Sequence, residues 1–450
     1  MPSQRPTENN VSAPLRSLRE RVEWFYRQAR LSYQRRLIVL SGDATWCRST
    51  AADLLTHWPA ETCWWIGAAA VSEGITYLDN ASAERRLGAE SDLLVYDTFC
   101  GLDVNAFGAV CGTLRGGGLL MLLTPHLADW PVYPDPQHAR LNVAGYPVSA
   151  VTGRFLKRLG RLLQSDPSIL LLKQDQPLPP PSVESLEENR SVFQDPVCRT
   201  ADQRSAVDAV CHVPKGHRRR PVVLISDRGR GKSSALGIAA ARLAQQGAHA
   251  ILVTAPSSCA VSPLFHCAAK LLPSAQLGKS SIHWDGCHIT YVAPDHLLKH
   301  PHTADILLVD EAAAIPTPLL ESLLDRYPRI AFATTIHGYE GTGRGFALRF
   351  RQVLDRCTPH WREIHLETPI RWAKDDPLER WLFRALALDA SPPEDHLVMT
   401  AQAEDCVLET LDRDRLVDTE IDLNDLFGLL VTAHYRTTPF DLRHLLDGPN

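Results

Sequence analysis

The stretch Ser226-Asp227-Arg228-Gly229-Arg230-Gly231-Lys232-Ser233-Ser234 has the composition of a polyphosphate cradle. Its glycines let backbone N–H groups turn inward, Lys232 has the charge and reach for terminal phosphate oxygens, and the Ser233 hydroxyl suits a magnesium ion (Mg2+). Ser226 stands where such loops more often carry their first glycine, and it makes the turn with less conformational freedom. Farther along, Ile306-Leu307-Leu308-Val309 runs without a charge into Asp310-Glu311. In a P-loop hydrolase the first acid holds the metal and the second orients the attacking water. Lys232, Asp310 and Glu311 are therefore the expected catalytic residues, and Ser233 and Asp310 the expected metal residues.

Weaker signals surround this pair. Gln203, in Thr200-Ala201-Asp202-Gln203, carries an amide that can read an adenine edge as donor and acceptor, which favours ATP over GTP. Thr334 and Thr335 end another apolar run and could sense the nucleotide state. Arg371 follows the rigid Thr368-Pro369-Ile370 and could contact phosphates, with Arg344 and Arg349 as further arginine candidates. Glu340-x-x-Gly343-x-Gly345 superficially resembles the pyrophosphate loop of acetyl-CoA-dependent transferases; Glu replaces the needed Gln or Arg, so it reads as a decoy. Lys215-Gly216-His217-Arg218-Arg219-Arg220 is either a local nucleic-acid patch or a solvated loop.

Two α/β patterns position these residues. Short apolar runs at Leu37–Leu40, Cys63–Ile66, Ile75–Leu78, Leu93–Tyr96 and Leu119–Leu123 alternate with helix-length segments, and an amphipathic helix precedes them over residues 15–31. The Pro-rich, then acidic segment 175–190 has linker composition. A second series follows at Val222–Ile225, Ala250–Thr254, Ile289–Val292, Ile306–Val309 and Ile330–Thr334, as in a RecA-like lobe. Leu378, Trp381, Leu382 and Ala385 then mark helices, and a third region starts near 395. The expected organisation is an N-terminal Rossmann-like parallel-sheet domain over 1–180, a RecA-like P-loop helicase-type domain over 181–394, and a third region over 395–450.

The 450 residues, 44% of them hydrophobic, suffice for sizeable cores. Eleven cysteines are scattered without CxxC pairs, which excludes a disulfide framework or a zinc finger as an organising feature. A net charge of −5 excludes a chain that is basic throughout. No apolar run is long enough for a membrane span and the N-terminus lacks a signal-peptide core, so the cytoplasm is the expected compartment.

The strings GRGKSSALG (229–237), LLVDEAAAIPTPLL (307–320), GYEGTGRGFALRF (338–350), PIRWAKDDPLE (369–379) and AHYRTTPFDLRHLLD (433–447) together resemble the bacterial tRNA(Met) cytidine acetyltransferases. The resemblance implies ATP hydrolysis by a helicase-like module, coupled to acetyl transfer from acetyl-CoA to the N4 amine of the wobble cytidine of elongator tRNA(Met). It also implies that Gln203, Gly229, Arg230, Gly231, Lys232, Ser233, Ser234, Ala235, Leu236, Gly237 and Arg371 bind the nucleotide. Residues 395–450 would then begin a GNAT-type acetyltransferase domain, incomplete because no Gln/Arg-x-x-Gly-x-Gly/Ala loop follows residue 395. This chain is accordingly expected to carry the ATPase part and not to acetylate alone. A helicase-like ATPase that binds and remodels RNA without group transfer is the alternative.

Overall fold

In a computed structural model, the chain forms two successive α/β units, each a mainly parallel sheet covered by helices on both faces. The structure describes residues 18–449 apart from 57, 59–61, 69–73, 87–88, 180–194, 301, 338–342, 403, 405 and 435–436, and apart from the side chains of 343–348 and 395. The proposed linker beyond residue 179 and the start of the glycine-rich string at 338 thus lie outside the described residues.

The first sheet has six strands, in the order Ile75–Leu78, Cys63–Ile66, Ser91–Asp97, Leu114–Thr124, Arg36–Ser41 and Leu170–Lys173. Alternate residues of a strand face opposite ways. Val39, Tyr96 and Leu122 enter one core with Phe107 and Phe155, whereas Ile38, Val95 and Met121 enter another beneath the helix Leu18–Ser32. Because both faces are covered, the strands read as continuous apolar runs.

The second sheet has eight strands, ordered Arg362–Leu366, Val222–Ser226, Ile330–Thr335, Ile306–Val309, Ala250–Thr254, Cys287–Tyr291, Ser281–Trp284 and Gln276–Leu277, with Ser281–Trp284 antiparallel to both of its neighbours. Helices Ala201–His212, Lys232–Gln245 and Ser262–Leu271 cover one face, and Thr317–Arg326 and Gly343–Cys357 the other. Four strands were not expected from the sequence: Leu170–Lys173, Gln276–Leu277, Ser281–Trp284 and Arg362–Leu366. Gln276–Leu277, Ser281–Trp284 and Arg362–Leu366 lie at or near a sheet edge, where an open side tolerates polar residues and breaks up the apolar run, whereas the edge strand Leu170–Lys173 keeps an apolar run at 169–172.

Packing departs from the expected boundary at 394. Helices Pro377–Leu386, Glu420–Ala433 and Pro439–Asp447 insert Leu378, Trp381, Leu423, Phe427 and Leu446 into the core of the first unit. Trp381 meets Phe107 edge-on, with ring centroids 6.2 Å apart. Two buried arginines fix this attachment: Arg158 donates to the Ala385 carbonyl (2.8 Å) and Glu420 (2.7 Å), and Arg443 to the Leu102 carbonyl (2.5 Å) and Asp135 (2.6 Å). Buried guanidinium groups require such complete pairing, so the helices cannot detach without stranding charges. A heptad-like pattern reveals that a helix is amphipathic, but not which sheet its apolar face meets.

Candidate nucleotide site

The strand Val222–Ser226 is fully buried and lies between Ile330–Thr335 and Arg362–Leu366. Its carboxyl end shares one sheet edge with Thr254, Asp310 and Thr335. Open α/β sheets bind ligands at that edge. The loop that follows places Gly229 and Gly231 in the left-handed region, at φ 81° and 80°. Another residue would carry a backbone penalty of about 1–2 kcal/mol there. Gly231 caps the helix Lys232–Gln245, whose first N–H groups lack intrahelical partners and can face an anion.

The charged groups converge on this loop. Lys232 is buried, and its Nζ donates to Ser226 Oγ (3.0 Å) and the Asp227 carbonyl (3.3 Å). Burial lowers its pKa, while the nearby Glu311 and Asp310 act in the opposite direction. Asp310 is wholly buried; burial and then the Glu311 charge push its carboxyl up to about 7, against the Ser233 hydroxyl and Lys232. Its Oδ1 accepts from the Glu311 N–H at 3.0 Å, and its buried Oδ2 has no hydrogen-bond partner among the described residues. Glu311 adopts a left-handed conformation at φ 47°, and its Oε2 accepts from Thr335 Oγ1 at 3.3 Å. Asp227 pairs with His337 at 2.7 Å; burial alone would raise its pKa, but His337, Arg230 and Lys232 outweigh it and bring it below the usual range.

A divalent cation fits this arrangement. The unsatisfied Asp310 oxygen beside the Ser233 hydroxyl is an oxygen donor set suited to Mg2+, and the raised carboxyl pKa is what a cation would relieve. The same edge supplies an ammonium for phosphate oxygens and a second carboxylate for a water.

Several expected residues have other neighbours here. Gln203 is buried against the loop: its Nε2 donates to the Gly231 carbonyl at 3.4 Å, and its Oε1 accepts from the Arg199 N–H at 2.8 Å. Arg371 has its backbone at the loop, but Nη1 donates to the Gly112 carbonyl of the first unit at 2.8 Å and Nε lies 3.5 Å from Glu90. Arg230 pairs with Glu379, with one contact at 3.1 Å. Ser234 is partly exposed beside the loop, whereas the Ala235 and Leu236 side chains lie in the core and Gly237 packs against the Leu264 carbonyl. Thr334 Oγ1 is buried without a partner among the described residues. The Arg344 side chain lies outside the described residues. The exposed patch from Lys215 to Arg220 precedes the amino end of the Val222–Ser226 strand, opposite the site, with Arg219 3.8 Å from Asp325.

Sequence reasoning missed Asp227–His337, Arg230–Glu379 and the contact of Trp372 with Gly229. Only the last two had any signal, their membership in the string 369–379.

Two family models match the chain: the tRNA(Met) cytidine acetyltransferase TmcA N-terminal model over residues 11–174, and the RNA cytidine acetyltransferase NAT10/TcmA helicase-domain model over 223–389. A tRNA(Met) cytidine acetyltransferase TmcA from Nitrosococcus halophilus is 52% identical over 94% of this chain and 57% of its own length. The protein of that name from Haloferax volcanii is 40% identical over 94% of this chain and 59% of its own. The chain therefore spans less than two thirds of the length of these relatives. Among solved structures, the large terminase of a thermophilic bacteriophage covers 40% of this chain and 47% of its own, at 11% identity and a TM-score of 0.29, a likeness too slight to weigh.

Proposed function

This chain belongs to the tRNA(Met) cytidine acetyltransferase family, and we propose that it is the ATP-hydrolysing part of such an enzyme, acting in the cytoplasm on elongator tRNA(Met). The observation that carries the proposal is the orphaned Asp310 oxygen, set beside Ser233 and Lys232 at the mouth of a left-handed glycine loop. Ser233 and Asp310 would hold Mg2+, which when bound would neutralise phosphate charge. Lys232 exchanges its Ser226 and Asp227 contacts for phosphate oxygens. Glu311, oriented by Thr335, polarises the water that attacks the terminal phosphate, giving ADP and phosphate.

Hydrolysis would be used on RNA. A base must leave its stack before chemistry reaches its exocyclic amine, at a cost of about a few kcal/mol. The acetyl group of acetyl-CoA would then pass to the N4 amine of the wobble cytidine, releasing CoA. No helix among the described residues is long and apolar enough to cross a membrane.

ATP turnover by the purified chain should rise on addition of unmodified tRNA(Met), and Lys232→Ala should abolish it. Equal rates with and without tRNA would refute the coupling. Mass spectrometry for acetylcytidine after incubation with ATP, acetyl-CoA and tRNA(Met) tests the transfer step; acetylcytidine would show that the chain completes the reaction alone.

A further inference from the structure

We infer that Trp372 is a positioning residue for the phosphate loop, through which the first α/β unit sets the loop's affinity for nucleotide. The inference rests on the proposal that this loop takes ATP. The Trp372 ring is buried and occupies the space beside Gly229 into which a side chain would project: a Cβ there would lie 2.6 Å from Cη2 and 2.8 Å from Cζ2. The ring thus backs the left-handed Gly229 from outside the loop. The Arg35 guanidinium stacks on this ring, 3.3 Å from its centroid.

Arg35 belongs to the first unit and is held rigidly. Its Nε and Nη2 donate to Asp376 at 3.2 and 3.0 Å, its backbone N–H to the same carboxylate at 2.6 Å, and Nη1 to the Cys111 carbonyl at 3.0 Å. Both Arg35 and Asp376 are almost wholly buried. The backbone around Trp372 is tied at both ends. Ile370 N–H donates to the Gly229 carbonyl (2.9 Å), Gly116 N–H to the Arg371 carbonyl (2.8 Å), and Ala373 N–H to the Tyr33 carbonyl (2.8 Å). Trp372 Nε1 donates to Glu379 at 3.2 Å, and Glu379 also pairs with Arg230 inside the loop.

A loop must hold several N–H groups in one direction to bind a polyphosphate, and any freedom it keeps when empty is lost on binding. The ring and the Glu379–Arg230 pair remove that freedom in advance. Without the ring, Gly229 regains the wide conformational range of glycine. Affinity should fall, while turnover of bound ATP, which depends on Lys232, Asp310 and Glu311, should change little.

The full chain is tested with MgATP, reading Kd with a fluorescent ATP analogue and KM and kcat by phosphate release. Trp372→Ala should raise Kd and KM about tenfold with kcat within about threefold, and Trp372→Phe, which keeps a ring, should recover most of the loss. A folded Trp372→Ala with wild-type Kd, or one that loses kcat at unchanged KM, overturns the inference while leaving the ATP site standing. Failure of the wild-type chain to bind the nucleotide overturns both. Should Trp372→Ala not fold, Trp372→Leu, which keeps apolar bulk but no ring, is read in its place. A raised Kd at little-changed kcat supports the contact, and a wild-type Kd refutes it.

Discussion

Magnesium binding should be proton-linked through Asp310. Its carboxyl, wholly buried and pushed up to about 7 by burial and the Glu311 charge, is about half protonated near neutral pH in the free protein. A cation takes only the ionised form, so it must displace the proton. The ionised fraction rises from about 0.09 at pH 6 to about 0.9 at pH 8, which predicts about a tenfold (~1.4 kcal/mol) gain in affinity for Mg·ADP over that range, flattening above it. The nucleotide's own phosphate titrates nearby. Asp310→Asn, which has the same shape and no titration, supplies the baseline. Calorimetric titrations in two buffers of different ionisation enthalpy should show wild type releasing about half a proton more than Asp310→Asn at pH 7. The stability effect has a defined sign. A folded-state pKa above the unfolded value stabilises below about pH 4 and that stabilisation is lost as pH rises through about 7. Without nucleotide, wild type should therefore lose melting temperature relative to Asp310→Asn between pH 5 and 8, and Mg·ADP should restore it. Equal proton release and parallel pH curves in the two proteins would refute this account of Asp310.

Glu311→Gln keeps the acceptor for Thr335 but removes the base, so ATP affinity should stay within about threefold while steady-state turnover drops by about a hundredfold or more. Gly231→Ala places a Cβ 2.4 Å from Ile370 Cδ1 and 2.8 Å from Gln203 Nε2 on a left-handed backbone. It should lower the melting temperature by several degrees, from a backbone cost of about 1–2 kcal/mol, and reduce nucleotide-induced stabilisation in the same thermal scan. Asp376→Asn leaves the buried Arg35 without its counter-charge and should cost about 3–5 kcal/mol in denaturant unfolding; an unchanged midpoint would mean the pair is solvated.

Much of the candidate site was legible because its signals are local. Gly229 and Gly231 are needed for a turn closed within a few residues, Lys232 and Ser233 sit in the first turn of the helix that follows, and Asp310-Glu311 end a strand whose apolar run announces it. Arg371 shows where local inference stops. Its chemistry suits a phosphate, and its backbone does reach the loop, yet its guanidinium lies against the Gly112 carbonyl of the other unit. The helix Pro377–Leu386 shows the same limit: its periodicity predicts a buried stripe, and the stripe is buried on the first sheet.

The amino-acid sequence by itself determined the α/β class, the glycine turn at 229–231 and the strand end that carries Asp310 and Glu311, since apolar runs and glycine conformations are settled by neighbours along the chain. Tertiary structure alone decided what surrounds them. Arg230 meets Glu379 across 149 residues, and Arg35 meets Asp376 across 341. Such pairs leave no spacing to read, because buried charges choose partners by position in the folded core and by the cost of leaving either one unpaired.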